Sequence, residues 1–395
     1  MPWSPYLLAG GMSLPWAVCT LLGVHPSAPV VAVLTGVSVL GAAFLLSWAC
    51  EAAEMDVPRA FAVSVLALVA VLPEYAVDAT FAWKAARDPT HASYAIANMT
   101  GGNRLLLGLG WPLVVGLGFL RFRKREIDIP RDMGVEVSVL LLATLYAAVP
   151  IVRGALTVFD TVVYVLMYVV YLVAAARGES QEVELVGPAR AMADLTPPRR
   201  RLGVVALFVY AAVSIGIAAE PFAESLVQTG RAFGIDEFLL VQWVAPLASE
   251  SPEVVVAILM VFRGSAATGL RTLVSSKVNQ WTLLVGTLAL VYSVSFGSVA
   301  PMPIDARQRD ELLLTAAQSL FGVAVLADLR FTLGQGALLA TLFLGQVIFA
   351  DAHFQVGVGY VALSVGLYAF SPRTRQGFAG CFRTFARMLA GGASS

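Results

Sequence analysis

The feature that most restricts this chain is a recurrence of apolar runs, each close to the ~20 residues a helix needs to cross a bilayer. Twelve are legible, at roughly 5–24, 28–50, 60–84, 93–119, 134–152, 155–176, 202–224, 237–262, 267–297, 311–328, 331–350 and 353–371. Of 395 residues, 58% are hydrophobic and 13% charged, with a mean hydropathy of +0.78. So few charges could not cover a water-soluble domain of this size. The expectation is an all-α polytopic membrane protein with twelve transmembrane helices. The first apolar run lacks a basic n-region and a small-residue cleavage site, so it should be retained as a helix.

Other classes find little support. The net charge is zero, so the charge balance points to no nucleic-acid or acidic partner. Cys19, Cys50 and Cys381 stand apart from one another without metal-ligand spacing and read as free thiols. No nucleophile elbow, phosphate loop or metal cluster is visible, so neither enzyme chemistry nor a cofactor is expected.

The basic residues are informative by position. Eighteen of the 26 lysines and arginines fall on segments that would share one face, including Arg121, Arg123, Lys124, Arg125, Arg131, Arg199, Arg200 and Arg201. Six fall on the other face. The positive-inside rule puts the eighteen in the cytoplasm, giving a multi-pass protein of the cell (inner) membrane with both termini inside. The polar stretch 177–201, RGESQEVELVGPARAMADLTPPRRR, reads as a cytoplasmic linker. Arg373, Arg375, Arg383 and Arg387, interleaved with Phe378, Phe382 and Phe385, read as a cytoplasmic interfacial helix.

Two spans break the apolar rule in the same way. Residues 69–80 read VAVLPEYAVDAT and residues 245–256 read APLASESPEVVV. Each is followed by a second unusual stretch, ANMTGGNRLLLGLG (97–110) or RTLVSSKVNQWTLLVG (271–286). From Glu74 to Asn103 is 29 residues and from Glu253 to Lys277 is 24, so five extra residues are assigned to the loop 86–95. Insertions are tolerated best in loops. The paired stretches define two five-helix repeats, 28–176 and 202–350, with residues 1–27 and 351–395 as additions. An odd number of spans per repeat forces the second to be inverted. Inverted repeats with interrupted helices are the architecture of transporters whose ion site lies at mid-membrane.

Proline accounts for the interruption. Pro73 and Pro252 have no amide hydrogen, so the carbonyls of Val69 and Ala248 lose their helical donors and could face a cation. A glutamate follows each proline. Gly101, Gly102, Ser275 and Ser276 are small enough for the opposing backbones to approach closely.

These motifs resemble the cation/calcium antiporter superfamily, which includes the sodium/calcium exchangers. Its repeats resemble G-T-S-x-P-E followed by G-N-x-x-G-S-N-x-x-N/D. The first repeat here keeps PE, Asn98, Gly101 and Asn103; the second keeps Ser249, PE and Ser276. The departures are also clear. Threonine and serine before PE become Ala70 and Val71 in the first repeat and Ser249 and Glu250 in the second. The asparagine kept as Asn103 becomes Lys277, and the final ligand position holds Leu106 or Gln280.

The resemblance implies a secondary cation antiporter working by alternating access, with Glu74 and Glu253 facing each other as the cation ligands. Ser249, Glu250, Ser276, Gln280 and Asn103 complete the candidate site, and Lys277 and Asp78 tune its charge. Lys277 is expected to pair with Glu74, Glu253 or Glu250, because an ammonium has donors only and cannot ligate a metal. Arg104 either pairs with a carboxylate or reaches a headgroup. Glu51, Glu54, Glu220 and Glu224 read as solvated helix ends, and His25, His91 and His353 as outer-loop residues rather than proton relays. The cargo could be Ca2+ or Na+ exchanged for H+ or Na+. A monovalent Na+/H+ antiporter is the first alternative, since two glutamates and one lysine sum to a single negative charge. A non-transporting sensor or scaffold is the second.

Overall fold

The computed structural model describes residues 3–57, 67–177, 185, 187–349 and 352–391. The first part of the predicted span 60–84 and most of the predicted linker's first half lie outside the described residues.

The chain is helical almost throughout. In order come α1 (Ser4–Gly11), α2 (Leu14–Leu22), α3 (Ala28–Ala53), α4 (Ala67–Ala70), α5 (Leu72–Ala85), α6 (Thr90–Leu105) and α7 (Trp111–Phe122). After strand β1 (Glu126–Asp128) follow α8 (Gly134–Tyr146) and α9 (Ala148–Arg153), then β2 (Ala155–Leu156) and α10 (Val158–Ala176). The second half contains α11 (Ala189–Ala193), α12 (Pro197–Phe233), α13 (Glu237–Phe262), α14 (Ala266–Asn279) and α15 (Val285–Phe296). Strand β3 (Met302–Pro303), α16 (Ala306–Leu326), β4 (Arg330–Thr332), α17 (Leu333–Ile348), α18 (His353–Phe370) and α19 (Pro372–Leu389) complete it. Among the described residues, eight helical segments are long and apolar enough to cross a membrane by length and composition. The protein is an all-α polytopic membrane protein.

Local sequence sets many of the boundaries. Thr157 with Asp160, Asp305 with Gln308, and Thr332 with Gln335 form reciprocal capping boxes that start α10, α16 and α17. Each satisfies backbone donors that a helix start leaves open. At the start of α12, Arg200 grips Asp56 with Nε at 2.6 Å from Oδ2 and Nη2 at 2.9 Å from Oδ1. That bidentate grip, which fixes the end of α3 against α12, holds the Asp56 carboxyl below the usual carboxylate range.

The repeats and their inversion are visible in two small clasps. β1 pairs antiparallel with β4, and β2 with β3. In the repeat register β3 is the counterpart of β1 and β4 that of β2, following 176 and 175 residues later. Each strand therefore pairs with the counterpart of the other, as a two-fold relation between the halves requires.

Several local expectations need correction. α6 begins at Thr90, so the loop from Ala86 is short and cannot hold the five extra residues. The helical stretches between the motifs, Glu74 to Ala85 and Thr90 to Asn103, are each longer than their counterparts, Glu253 to Phe262 and Ala266 to Lys277, so most of the difference lies in the helices. The two proline sites also differ: the first breaks the helix at Val71, between α4 and α5, whereas α13 runs continuously through Pro246 and Pro252. α12 spans 37 residues and begins at Pro197, inside the expected linker. It extends beyond the predicted span, so Glu220 and Glu224 lie within it rather than at its end, and both pair with Lys84 of α5.

Candidate ion site

The site forms where the PE helix of each repeat meets the second motif of the other. α13 packs on α6 at its glycines. A Cβ at Gly101 would overlap the Gln242 carbonyl, and one at Gly102 would overlap Oε1 of Glu250. Pro246 removes the helical donor for that Gln242 carbonyl, so the oxygen turns toward the Gly101 backbone. On the other side, the Tyr75 hydroxyl of α5 donates to Oδ1 of Asn279 at 2.7 Å, and Nδ2 of Asn279 donates to the Tyr168 hydroxyl at 3.2 Å.

Both second motifs leave α-helical geometry at matching positions. Leu106–Gly110 and Gln280–Leu284 are π-helical turns, 174 residues apart. The same offset separates Asn103 from Lys277, which supports the register of the repeat. π-turns insert one residue into a helix and cluster at functional sites.

Four carboxylates are buried here: Glu74, Asp78, Glu250 and Glu253. Glu253, Glu250 and Asp78 all lie within electrostatic reach of Glu74. Neither oxygen of Glu74 has a hydrogen-bond partner in the protein. Oε2 of Glu253, Oδ2 of Asp78, the Ser276 hydroxyl and the side-chain amide of Gln280 are likewise buried without one. The other oxygen of Asp78 accepts from Asn98 at 2.8 Å. Ser249 turns away from the group, donating to the Ala245 carbonyl of its own helix at 3.3 Å. Among the described residues, no three His, Cys, Asp or Glu side chains converge closely enough to hold a metal ion.

Lys277 departs from expectation. Its ammonium donates to the Asn103 backbone carbonyl at 3.1 Å and to Asn103 Oδ1 at 3.2 Å, over the face of Trp281 at 5.6 Å. Among the described residues it forms no ion pair with Glu74, Glu250 or Glu253, although Glu250 lies within electrostatic reach. The physical reason is local: on a fully enclosed lysine, two oxygens and an aromatic face satisfy the ammonium without drawing a carboxylate out of position. Asn103, in turn, has its oxygen occupied, and its Nδ2 is bound to Met99.

The structure also decides between the two readings of Arg104 and overturns the one for His353. Arg104 is fully buried and pairs with Glu311, Nη2 to Oε2 at 2.6 Å, rather than reaching a headgroup. His353 is not in a loop; it opens α18, buried against Glu311 at 2.8 Å. His91 lies in the first turn of α6, and His25 is in a loop as expected. Glu311, Tyr75 and Asn279 were not singled out from sequence. The signal for Glu311 in the sequence is an adjacent acidic pair, Asp310 and Glu311, at the edge of an apolar run.

Comparison with known proteins agrees with this fold. The crystal structure of an H+/Ca2+ exchanger, CAX, is similar over 98% of both chains at 43% identity, with a TM-score of 0.93. The Ca2+/H+ antiporter protein YfkE is similar in fold over 91% of this chain and 99% of its own, at 16% identity and TM-score 0.62. The sodium-calcium exchanger NCX_Mj is similar in fold over 80% of this chain and 96% of its own, at 18% identity and TM-score 0.54. No curated protein matches the chain. The sodium/calcium exchanger protein family matches residues 27–177 and 203–350, and with most of its length so matched, the chain belongs to that family of membrane cation antiporters.

Proposed function

We propose that this protein is a proton-coupled calcium antiporter that binds Ca2+ and protons in turn at Glu74 and Glu253. Glu250, Asp78, Ser276 and Gln280 supply further oxygens, and Lys277 sets the charge. The observation that carries the reading is Glu74. A carboxylate enclosed in apolar protein with neither oxygen hydrogen-bonded is stable only with a cation or a proton bound. Those two occupants exclude each other on the same oxygens, which is the chemical requirement for exchange. The first repeat, 28–176, and the second, 202–350, would alternate the access of this site to the two faces, with residues 1–27, 177–201 and 351–395 as peripheral segments. The basic face and both termini are assigned to the cytoplasm.

Calcium is favoured over a monovalent cargo on two grounds. Four carboxylates are buried in this region instead of two, though among the described residues no three converge on one point in this conformation, so one lysine no longer reduces the formal charge to a single negative unit. Six buried oxygens of Glu74, Glu253, Asp78, Ser276 and Gln280 also lack protein partners, and calcium takes about six to eight oxygens. The similar H+/Ca2+ exchanger, at 43% identity, points the same way.

The test is uptake by proteoliposomes loaded at one pH and diluted into another, with Ca2+, Na+ or Mg2+ outside. Calcium accumulation that follows the pH gradient and ignores a sodium gradient is the expected result. Sodium accumulation without calcium would establish the monovalent alternative.

A further inference from the structure

A second buried ionic centre lies beside the ion site. Glu311, early in α16, accepts from Arg104 Nη2 at 2.6 Å and from Gln242 Nε2 at 2.9 Å on Oε2, and faces His353 Nδ1 at 2.8 Å across Oε1. Nε2 of His353 meets the Gln346 carbonyl at 3.0 Å. One carboxylate thus ties α6, α13 and α18 to α16, and Arg104, Gln242, Glu311 and His353 are all buried.

Its position is what gives it a role. Glu311 and His353 form part of the wall of a cavity of about 560 Å³, which Asp236, Leu239, Arg307 and Asp310 also line. Behind the centre is the ion site: Arg104 follows Asn103, whose oxygens hold Lys277, and the Gln242 carbonyl abuts Gly101, next to the Gly102–Glu250 contact. The centre therefore stands between cavity and carboxylates. Arg104 Nη1, Gln242 Oε1 and Gln346 Oε1 are buried with no partner in the protein, and these are groups that entering water would satisfy.

We infer that Glu311 is the positioning residue of a gate on the cavity side: while it holds Arg104, Gln242 and His353, the cavity is closed off from the ion site, and release of those contacts opens it. The gate rests on the alternating-access reading above. Its test needs no transport, so the two can fail separately.

The measurement is the rate at which a membrane-impermeant charged maleimide labels single introduced cysteines in the full chain in membranes. The parent, with its three native cysteines, gives the background. Leu239→Cys, on the cavity wall, identifies the face of the membrane and should react readily. Ala245→Cys lies deeper on α13, beyond Gln242, and is 1% exposed; from that face it should react slowly. Glu311→Gln and His353→Gln should each raise the Ala245→Cys rate by roughly tenfold, with Leu239→Cys unchanged. Ala257→Cys, equally buried further along α13, should stay slow in both backgrounds. An Ala245→Cys rate unchanged in both variants would overturn the gate, as would equal acceleration of Ala257→Cys, which reports general loosening. If Glu311→Gln does not fold, His353→Gln decides alone.

Discussion

Lys277 Nζ lies 3.1 Å from the Asn103 carbonyl oxygen and 3.2 Å from Asn103 Oδ1, so the second repeat's departure is held by the residue in the matching position of the first. The two second motifs therefore meet each other across the repeat axis. The lysine takes an oxygen that would otherwise be free for a cation.

Replacing Lys277 by asparagine should free Asn103 Oδ1 and remove one positive charge from the site. Unit charges about 8 Å apart at an effective dielectric of about 20 interact by roughly 2 kcal/mol. Calcium affinity should therefore rise by at least about tenfold, as read by calorimetry on the detergent-solubilised protein. Lys277→Met, which removes the charge without adding a ligand, should recover part of the gain. Equal affinity in all three proteins would place the ammonium outside the field of the ion.

Gly102 is where the account is most sensitive to one methyl group. A Cβ there would overlap Glu250 Oε1, so Gly102→Ala must push that carboxylate aside, at a cost of about 1–3 kcal/mol for overpacking. Calcium uptake should fall by roughly tenfold or more. Gly216→Ala, where a Cβ meets nothing within 4 Å, is the control and should transport normally. Wild-type uptake by Gly102→Ala would detach Glu250 from the site.

The PE pairs were legible because a carboxylate inside an apolar run has few structural excuses. The glycines were legible as well, since small residues opposite a broken helix imply close backbones, and Gly101 and Gly102 do pack on α13. Lys277 shows the limit: register fixed its place on α14 but not the direction of its side chain, which Trp281 and Asn103 determine. The Arg104–Glu311–His353 centre lay further out of reach. Glu311 and His353 are 42 residues apart, and each stands at the edge of an apolar run, where a solvated helix end is the ordinary reading. The π-turns have no local signature in LLGLG or QWTLL.

The Asp56–Arg200 contact should make thermal stability pH-dependent in a defined way. Arg200 holds the Asp56 carboxyl below its usual range, so its contribution is present above the unfolded carboxylate value of ~3.9 and is lost as pH falls through the lowered one. Asp56→Asn should melt at a lower temperature than wild type at pH 7. The two curves should converge as the solution is acidified below pH ~4. A gap that does not change with pH would assign the difference to packing rather than to the ion pair.

The central claim is that Glu74 carries the exchanged ion, and the most direct test is calcium uptake driven by an imposed pH gradient in proteoliposomes of Glu74→Gln beside wild type. Glutamine keeps the size of the side chain and removes the charge and the exchangeable proton, so the protein should still reconstitute while pH-driven calcium uptake falls to the level of empty liposomes. Uptake by Glu74→Gln at the wild-type rate, with the same dependence on the pH gradient, would contradict the account.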